Sequence, residues 1–509
     1  MRVTLKALLC AAAAGALTLT AFDGASAQKY QSRGTPSIGT SKPTAPPSTG
    51  GHRGGGDRGG GNWRGPGWGA AIPGIITVLP HLVQPSQGGQ FIDDGTVVED
   101  EDRPRRTRRP PQRTTRRNPS GAPPAGERRL VPDEIVIELR NTMTPQQVQA
   151  LQNRHRLTRL ESQVSQLSGT TMYRWRIPDR RSVPTVVREL EADNVVASAQ
   201  PNYLFSLQQV SAATEGDPAQ YELAKLKLPQ AHSLARGGKV LVAVIDSGVD
   251  IEHPDLAGAV AGTFDTLASD KTPFTPHKHG TAIAGLIAAR GKLVGAAPEA
   301  QILAIRAFDP DGHGDATTFN ILKGLDWAAS QHARVINMSF AGPSDPAIRR
   351  SLQAAHKKGI VLIAAAGNAG PKSPPLYPAA DPNTIAVTAT DAGDKLFALS
   401  NRGKHITVAA PGANIFVAIP DGGYERSSGT SYSAAEISGI VALMLERKND
   451  LTPDRVRAIL MATAKDLGPK GRDSLFGAGL ADAFGAVSAE SPALAAVPLP
   501  VERVSTGAR

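Results

Sequence analysis

Val240-Leu241-Val242-Ala243-Val244-Ile245-Asp246-Ser247-Gly248 is the stretch that decides the fold. Six apolar residues run without a polar break and end on a carboxylate, a serine and a glycine. A strand with one wet face would alternate. An unbroken run reads as a strand buried on both faces, and such strands belong to parallel sheets covered by helices on either side. The same texture recurs at 302–307, 335–338, 360–366, 385–387 and 406–408, separated by helical or loop stretches. The pattern predicts an α/β domain, a parallel doubly wound sheet with helices on both faces. In such sheets ligands bind beyond the carboxyl ends of the strands, so the residues just past each run carry the chemistry.

Two of those places, and two helix starts, bear reactive side chains. Asp246 closes the first run, and Gly367-Asn368 follows the run 360–366 with a side-chain amide. His279-Gly280-Thr281 precedes a small-residue helix over 282–289. Gly429-Thr430-Ser431 precedes another, in which Ile437, Ile440, Val441, Met444 and Leu445 keep helical spacing. A serine at a helix start gains from the positive end of the dipole and from free backbone N–H groups that can receive an oxyanion. Singly, each feature has a plainer explanation: a turn aspartate, one of eleven solvated histidines, a serine N-cap.

Upstream, the texture is different. Ile135, Ile137 and Leu139 alternate as a half-buried strand does. Thr144-Pro145-Gln146-Gln147 is a helix start, with Thr as N-cap, Pro at the first position and Gln placed to complete a capping box. Val148, Leu151 and Leu157 mark its apolar side, and Tyr173, Trp175 and Ile177 alternate again. Val186, Val187 and Leu190 suggest a second helix, and 195–200 a last strand ending before Pro201. The order β-α-β-β-α-β over about 75 residues predicts a small α+β ferredoxin-like sandwich.

The first quarter of the chain reads otherwise. Residues 28–127 hold 19 Gly and 14 Pro with no G-X-Y repeat, too little apolar surface to offset ordering entropy, so a disordered Gly/Pro/Arg-rich segment is expected there. It also holds 14 Lys/Arg against 8 Asp/Glu, with eight arginines from Arg103 to Arg117, a good part of the net charge of +10. That charge could attract polyanions or an anionic membrane surface, or merely keep the linker extended. Residues 1–27 carry Arg2 and Lys6, an apolar stretch and Ala25-Ser26-Ala27, the pattern of a secretory signal. The only cysteine, Cys10, falls inside it, so the mature chain would have no thiol nucleophile, thiolate metal site or disulfide. A secreted or periplasmic protein without a transmembrane segment is expected.

Together, Asp246-Ser-Gly, His279-Gly-Thr and Gly-Thr-Ser431, in the order Asp, His, Ser, resemble the three signature motifs of subtilisin-like serine peptidases, the subtilase family, for which that order is the known one. The likeness runs from about 215 to 487. It includes His253-Pro254-Asp255-Leu256 after the first motif, Asn337-Met338-Ser339-Phe340 as the substrate strand, and Ala365-Ala366-Gly367-Asn368 as the oxyanion segment. The resemblance implies a serine endopeptidase with Ser431 as nucleophile, His279 as base, Asp246 orienting it, and Asn368 as oxyanion donor. It further implies substrate contacts from Gly312, Gly314, Ser339, Phe340, Ala341, Ala366 and Gly367. No cofactor is needed for such chemistry. The small upstream domain would be an inhibitory, folding-assisting propeptide, cut between Phe205 and Glu215; a permanently attached recognition module is the other reading of it.

Several departures from the family pattern bear on these expectations. Ala282 stands where a histidine often follows His-Gly-Thr. Tyr432-Ser433-Ala434-Ala435-Glu436 replaces the usual Met-Ala-x-Pro-His, so Glu436 either adds a charge near the site or favours the helix N-terminus. Ala341 replaces a usual glycine, and its methyl would narrow the first specificity pocket toward modest apolar side chains. The segment 290–294 is shorter than the loop that supplies a common family calcium site; Asp255 matches one ligand of it, and one carboxylate is not a site, so calcium is expected to be absent. The organisation expected is therefore signal 1–27, linker 28–127, propeptide 128–207, catalytic domain 215–490 and flexible tail 491–509, acting as a monomer on polypeptides, its own propeptide among them. An inert scaffold held to anionic surfaces through the Arg-rich linker is the competing class, and a protease whose sole substrate is itself is a third.

Overall fold

The upstream segment folds as β-α-β-β-α-β, the order expected of it. It lies within the residues described by the computed structural model of the chain, which are 120–208, 220–268, 275–309 and 315–489. Its elements are β1 (Leu130–Arg140), α1 (Pro145–Arg154), β2 (Thr158–Ser165), β3 (Thr170–Arg176), α2 (Val183–Glu191) and β4 (Val196–Leu207). α1 starts where its sequence says: the Thr144 side chain accepts from Gln147 N, and the Gln147 side chain accepts from Thr144 N at 2.8 Å. α2 starts on Ser182, whose side chain accepts from Thr185 N. Antiparallel pairing sets Ile135 opposite Trp175 and Ile137 opposite Tyr173. Ile135, Ile137, Leu139 and Trp175 face Val148, Leu151, Val186, Val187 and Leu190 of the two helices. Burying one such large side chain contributes about 1.5–3 kcal/mol.

The downstream domain continues with α3 (Tyr221–Lys225), α4 (Leu228–His232), β5 (Leu241–Asp246), β6 (Val260–Asp265), α5 (Lys278–Ala288), β7 (Gln301–Arg306), β8 (Asp315–Thr317), α6 (Thr318–Ser330), β9 (Val335–Met338), β10 (Phe340–Ala341), α7 (Pro346–Lys357), β11 (Val361–Ala365), β12 (Thr384–Thr390), β13 (Ile406–Pro411), β14 (Ile415–Ile419), β15 (Gly423–Ser427), α8 (Thr430–Arg447), α9 (Pro453–Thr463) and α10 (Ala483–Ser488). The seven-stranded sheet has the order β13-β12-β11-β9-β5-β7-β6 and is parallel throughout. Successive residues of the deciding stretch bury on opposite faces. Val242 and Val244 pack with α5 and α8, while Ala243 and Ile245 pack with α6 and α7. That is why the run needs no polar residue. Two features escaped the sequence pattern: the edge strand β6, and the antiparallel hairpin β14–β15.

β4 joins the two halves, and it corrects the expected strand. It runs through Pro201 to Leu207 rather than ending at Gln200. Pro201 pairs with Ile135 of β1, and the far side of β4 gains neighbours only from Leu204 onward, so the missing proline N–H interrupts no second ladder. From there β4 lies antiparallel between β10, with Phe340 opposite Leu207, and β8, with Phe205 opposite Ala316. The outer face of the small sheet is therefore not solvated. Val136, Met172, Tyr203 and Phe205 join the core beneath α6 and α7. Polar groups complete the contact. Asp345 accepts from Gln200 Nε2 and Thr318 Oγ1, each at 2.6 Å, Asp326 accepts from Ser165 Oγ and Leu167 N, and Arg350 pairs with Glu138 at 2.9 Å.

Boundaries shift slightly. Residues 120–127, expected in the linker, are partly tied to the small domain, with Gly121 N donating to Glu191 at 2.5 Å. Most of the linker, the leader 1–27, Gly312, Gly314 and all of the tail 491–509 lie outside the described residues. Among the described residues no helix is long and apolar enough to cross a membrane.

Candidate active site

Three elements bring the motif residues to one edge of the parallel sheet. β5 ends in Asp246, α5 carries His279 as its second residue, and α8 carries Ser431 as its second residue. His279 Nδ1 lies 2.7 Å from Asp246 Oδ1, and both side chains are fully buried. The same carboxylate oxygen accepts from Ser247 N at 2.7 Å and Ser247 Oγ at 3.1 Å, which fixes its rotamer. Ser247 Oγ in turn accepts from Gly280 N at 3.0 Å and touches His277 Nδ1 at 2.9 Å. His277 is also the N-cap of α5, its side chain accepting from His279 N. Strand end and helix start are thus tied to each other through Ser247 and His277.

α8 begins on Gly429 without a side-chain cap, so the backbone N–H groups of its first turn have no partner within the helix. Ser431 sits there, and its hydroxyl is directed at two carbonyls, Gln208 O at 2.5 Å and Ser339 O at 3.1 Å. His279 Nε2 makes no hydrogen bond. Asn368 is oriented by Thr430: its Oδ1 accepts from Thr430 N at 3.1 Å and Thr430 Oγ1 at 2.9 Å. That leaves Asn368 Nδ2 buried without a partner, a donor held in place with nothing yet to donate to. The turn before it needs glycine. Gly367 has φ +107°, and a Cβ there would lie 2.4 Å from Asn401 Nδ2. Asn401 is itself bonded to Ala366 O and Ala369 N.

The remaining expected residues sit as follows. Ser339 Oγ donates to Ser431 O at 3.1 Å and accepts from Asn337 Nδ2 at 2.9 Å, bracing the start of α8. Phe340 and Ala341 form β10 against the end of β4, with Ala341 opposite Ser206. Gly342 lies against Phe205, where a Cβ would come within 2.2 Å of the ring. Gln208 continues this track: its N donates to Ser339 O at 3.2 Å and its Oε1 accepts from Asn368 N at 2.8 Å. The sequence pattern did not single out Gln208, Thr430, Ser247 or His277. Ser247 and Thr430 are inside the motifs, and Gln208 lies one residue past the expected propeptide boundary.

Glu436 departs from both expectations for it. It is a buried residue in the second turn of α8, 1% exposed, and neither carboxylate oxygen has a hydrogen-bond partner. Burial, reinforced by Glu222, holds its carboxyl well above the ordinary range and so favours the uncharged form. Glu222 on α3 is equally buried and unpartnered, and burial pushes it up to about 7. Ala282 packs in the core beside α8.

Asp255 is engaged by three donors from the protein. Its carboxylate accepts from Lys292 N at 2.7 Å, Leu293 N at 2.9 Å and Tyr424 Oη at 3.1 Å. Gln220 exchanges two hydrogen bonds of 3.0 Å with Val294, and Lys292 Nζ lies 4.1 Å from the centre of the Tyr424 ring. Among the described residues no group of three or more His, Cys, Asp or Glu side chains is arranged to hold a metal ion.

Comparison with known proteins agrees with this architecture. Residues 237–479 match the subtilase family, Peptidase S8, and residues 116–202 match the fervidolysin N-terminal prodomain. Thermitase from Thermoactinomyces vulgaris is 36% identical over 283 residues, 54% of this chain and 99% of thermitase. Subtilisin E from Bacillus subtilis (strain 168) is 36% identical over 291 residues, 55% of this chain and 74% of that protein. The crystal structure of fervidolysin from Fervidobacterium pennivorans superimposes with a TM-score of 0.63 at 24% identity, over 73% of this chain and 63% of that one, a likeness of fold. The molecule is a serine endopeptidase with a subtilisin-like fold and an N-terminal prodomain. The chain belongs to the subtilase family.

Proposed function

We propose that the chain is the precursor of an exported endopeptidase that matures by cutting itself after Gln208. One observation carries this reading: the Gln208 carbonyl oxygen lies 2.5 Å from Ser431 Oγ while Gln208 N is bonded to Ser339 O. A polypeptide laid along β10 as β4 is delivers a carbonyl to the serine. The prodomain tail, occupying that track, keeps other chains out until it is cut and released.

In the proposed reaction Ser431 Oγ adds to the Gln208 carbonyl carbon, and its proton passes to His279 Nε2. Asp246, bonded to Nδ1, orients the ring and stabilises its cation. The oxyanion is received by Asn368 Nδ2 and the Ser431 backbone N–H. Collapse expels the amino group of residue 209, which takes the proton from His279. Water then hydrolyses the ester, returning the serine and leaving a carboxylate on Gln208. The unpartnered His279 Nε2 and Asn368 Nδ2 fit these roles.

By the same register, substrates place their third residue before the cut beside Ala341 and their fourth against Gly342, where Phe205 now lies. The Ala341 methyl then bears on that third residue, with Ser339, Phe340, Ala366 and Gly367 forming the rest of the track. Gly312 and Gly314 enter by resemblance alone. No cofactor takes part. The residues around Asp255 do not fit a calcium ion, because backbone amides and a tyrosine hydroxyl already occupy its carboxylate. Removal of 1–27 on export, contact of the Arg-rich linker with anionic surfaces, and a monomeric state complete the proposal. No observation favours an inert scaffold.

A fluorophosphonate probe tests the chemistry, since only an activated serine reacts with it. The matured protein should be labelled and its Ser431→Ala variant should not. Equal labelling of both, or of neither, would refute the assignment.

A further inference from the structure

We infer that the enzyme selects glutamine as the residue that supplies the scissile carbonyl. This deepens the reading above and rests on Gln208 preceding the cut. The Gln208 side chain is held at both ends. Its Oε1 accepts from the Asn368 backbone N–H at 2.8 Å, and its Nε2 donates to Ser206 O at 3.0 Å and Leu207 O at 3.2 Å. The polarity of the partners fixes the amide orientation: a backbone N–H requires an oxygen, and two carbonyls require the NH₂.

Other residues fail on particular atoms. Methionine has nearly the same shape but leaves the Asn368 N–H without a strong acceptor. Glutamate accepts that N–H but sets its second oxygen against two carbonyl oxygens. Asparagine is one methylene short, and lysine and arginine carry no acceptor. The N–H involved belongs to the residue whose side-chain amide is fixed by Thr430 beside the nucleophile. An accepting side chain therefore steadies the backbone of Asn368 as well as binding to it, so the selection falls on kcat as well as KM. A part-buried donor left unpaired costs about tenfold in equilibrium terms.

Peptidyl aminocoumarin amides ending Phe-Ser-Leu-Gln, Phe-Ser-Leu-Met and Phe-Ser-Leu-Glu test this with the matured enzyme. In parallel, maturation of the full chain is timed for the parent, Gln208→Met and Gln208→Glu. The glutamine peptide should be cut with kcat/KM about tenfold above methionine and further above glutamate, and Gln208→Met should mature about tenfold more slowly than the parent. Methionine or glutamate cut as fast as glutamine would overturn the selection while leaving the peptidase intact. The peptide series decides the point if a variant chain folds poorly. Failure of every peptide together with failure of the parent to mature would overturn the self-cutting reading itself.

Discussion

Glu222→Gln should free the enzyme from a loss of thermal stability that otherwise sets in between weakly acidic and neutral pH. Glu222 is 1% exposed, its two oxygens have no hydrogen-bond partner, and burial raises it from the ordinary 4.5 to about 7. A carboxyl with a raised folded-state value holds a proton that the unfolded chain releases. Its stabilising contribution is complete below about 4.5 and is lost as pH rises through about 7. The linked loss is on the order of 3 kcal/mol by pH 8. Glu436, raised by burial and by Glu222, contributes in the same direction. The assay is the melting temperature of the Ser431→Ala chain, which does not digest itself, with and without Glu222→Gln at pH 4.5 and pH 8. Any fixed cost of burying an amide cancels in the difference between the two pH values. The variant should gain roughly 4 °C at pH 8 relative to its effect at pH 4.5. An identical effect at both pH values, or a larger benefit at the acid one, would refute the reasoning.

Two further outcomes follow from the site. Asn368→Leu should lower kcat on the order of 10²–10³ with KM little changed, as loss of the corresponding donor does in subtilisin; a loss confined to KM would remove Asn368 from the oxyanion role. EDTA should leave the melting temperature unchanged, because Asp255 already accepts from Lys292 N, Leu293 N and Tyr424 Oη; a fall of several degrees, reversed by calcium, would place an ion there.

The parallel sheet was legible because its strands are buried on both faces, which leaves an unbroken apolar run such as 240–245 as the trace. The reactive side chains were legible because Asp246, His279 and Ser431 stand where strand ends and helix starts must lie. The small domain was half legible. Ile135, Ile137 and Leu139 advertised one buried face, yet Glu138 between them, which looks solvated, is buried on the other and pairs with Arg350 of the catalytic domain. Alternation cannot distinguish a wet face from a polar interface. The same blindness shortened β4 at Pro201, since its second half is held by strands more than a hundred residues away. β6 carries too few apolar residues in a row to stand out; β14 is an unbroken apolar run, Ile415–Ile419, but its partner β15 is polar and half-buried, so the hairpin leaves no paired signal. Glu436 was misread for a related reason: on a helix surface a glutamate is ordinarily charged, and burial in the core, with Glu222 nearby, raises its carboxyl.

The central claim is that Ser431 cuts the chain at the point where β4 reaches it. Intact mass and N-terminal sequence of the purified protein, beside its Ser431→Ala variant, test this most directly. The account predicts a parent whose chain begins at residue 209 and a variant that retains the prodomain. Retention of the prodomain by both, or the same loss from both, would contradict it.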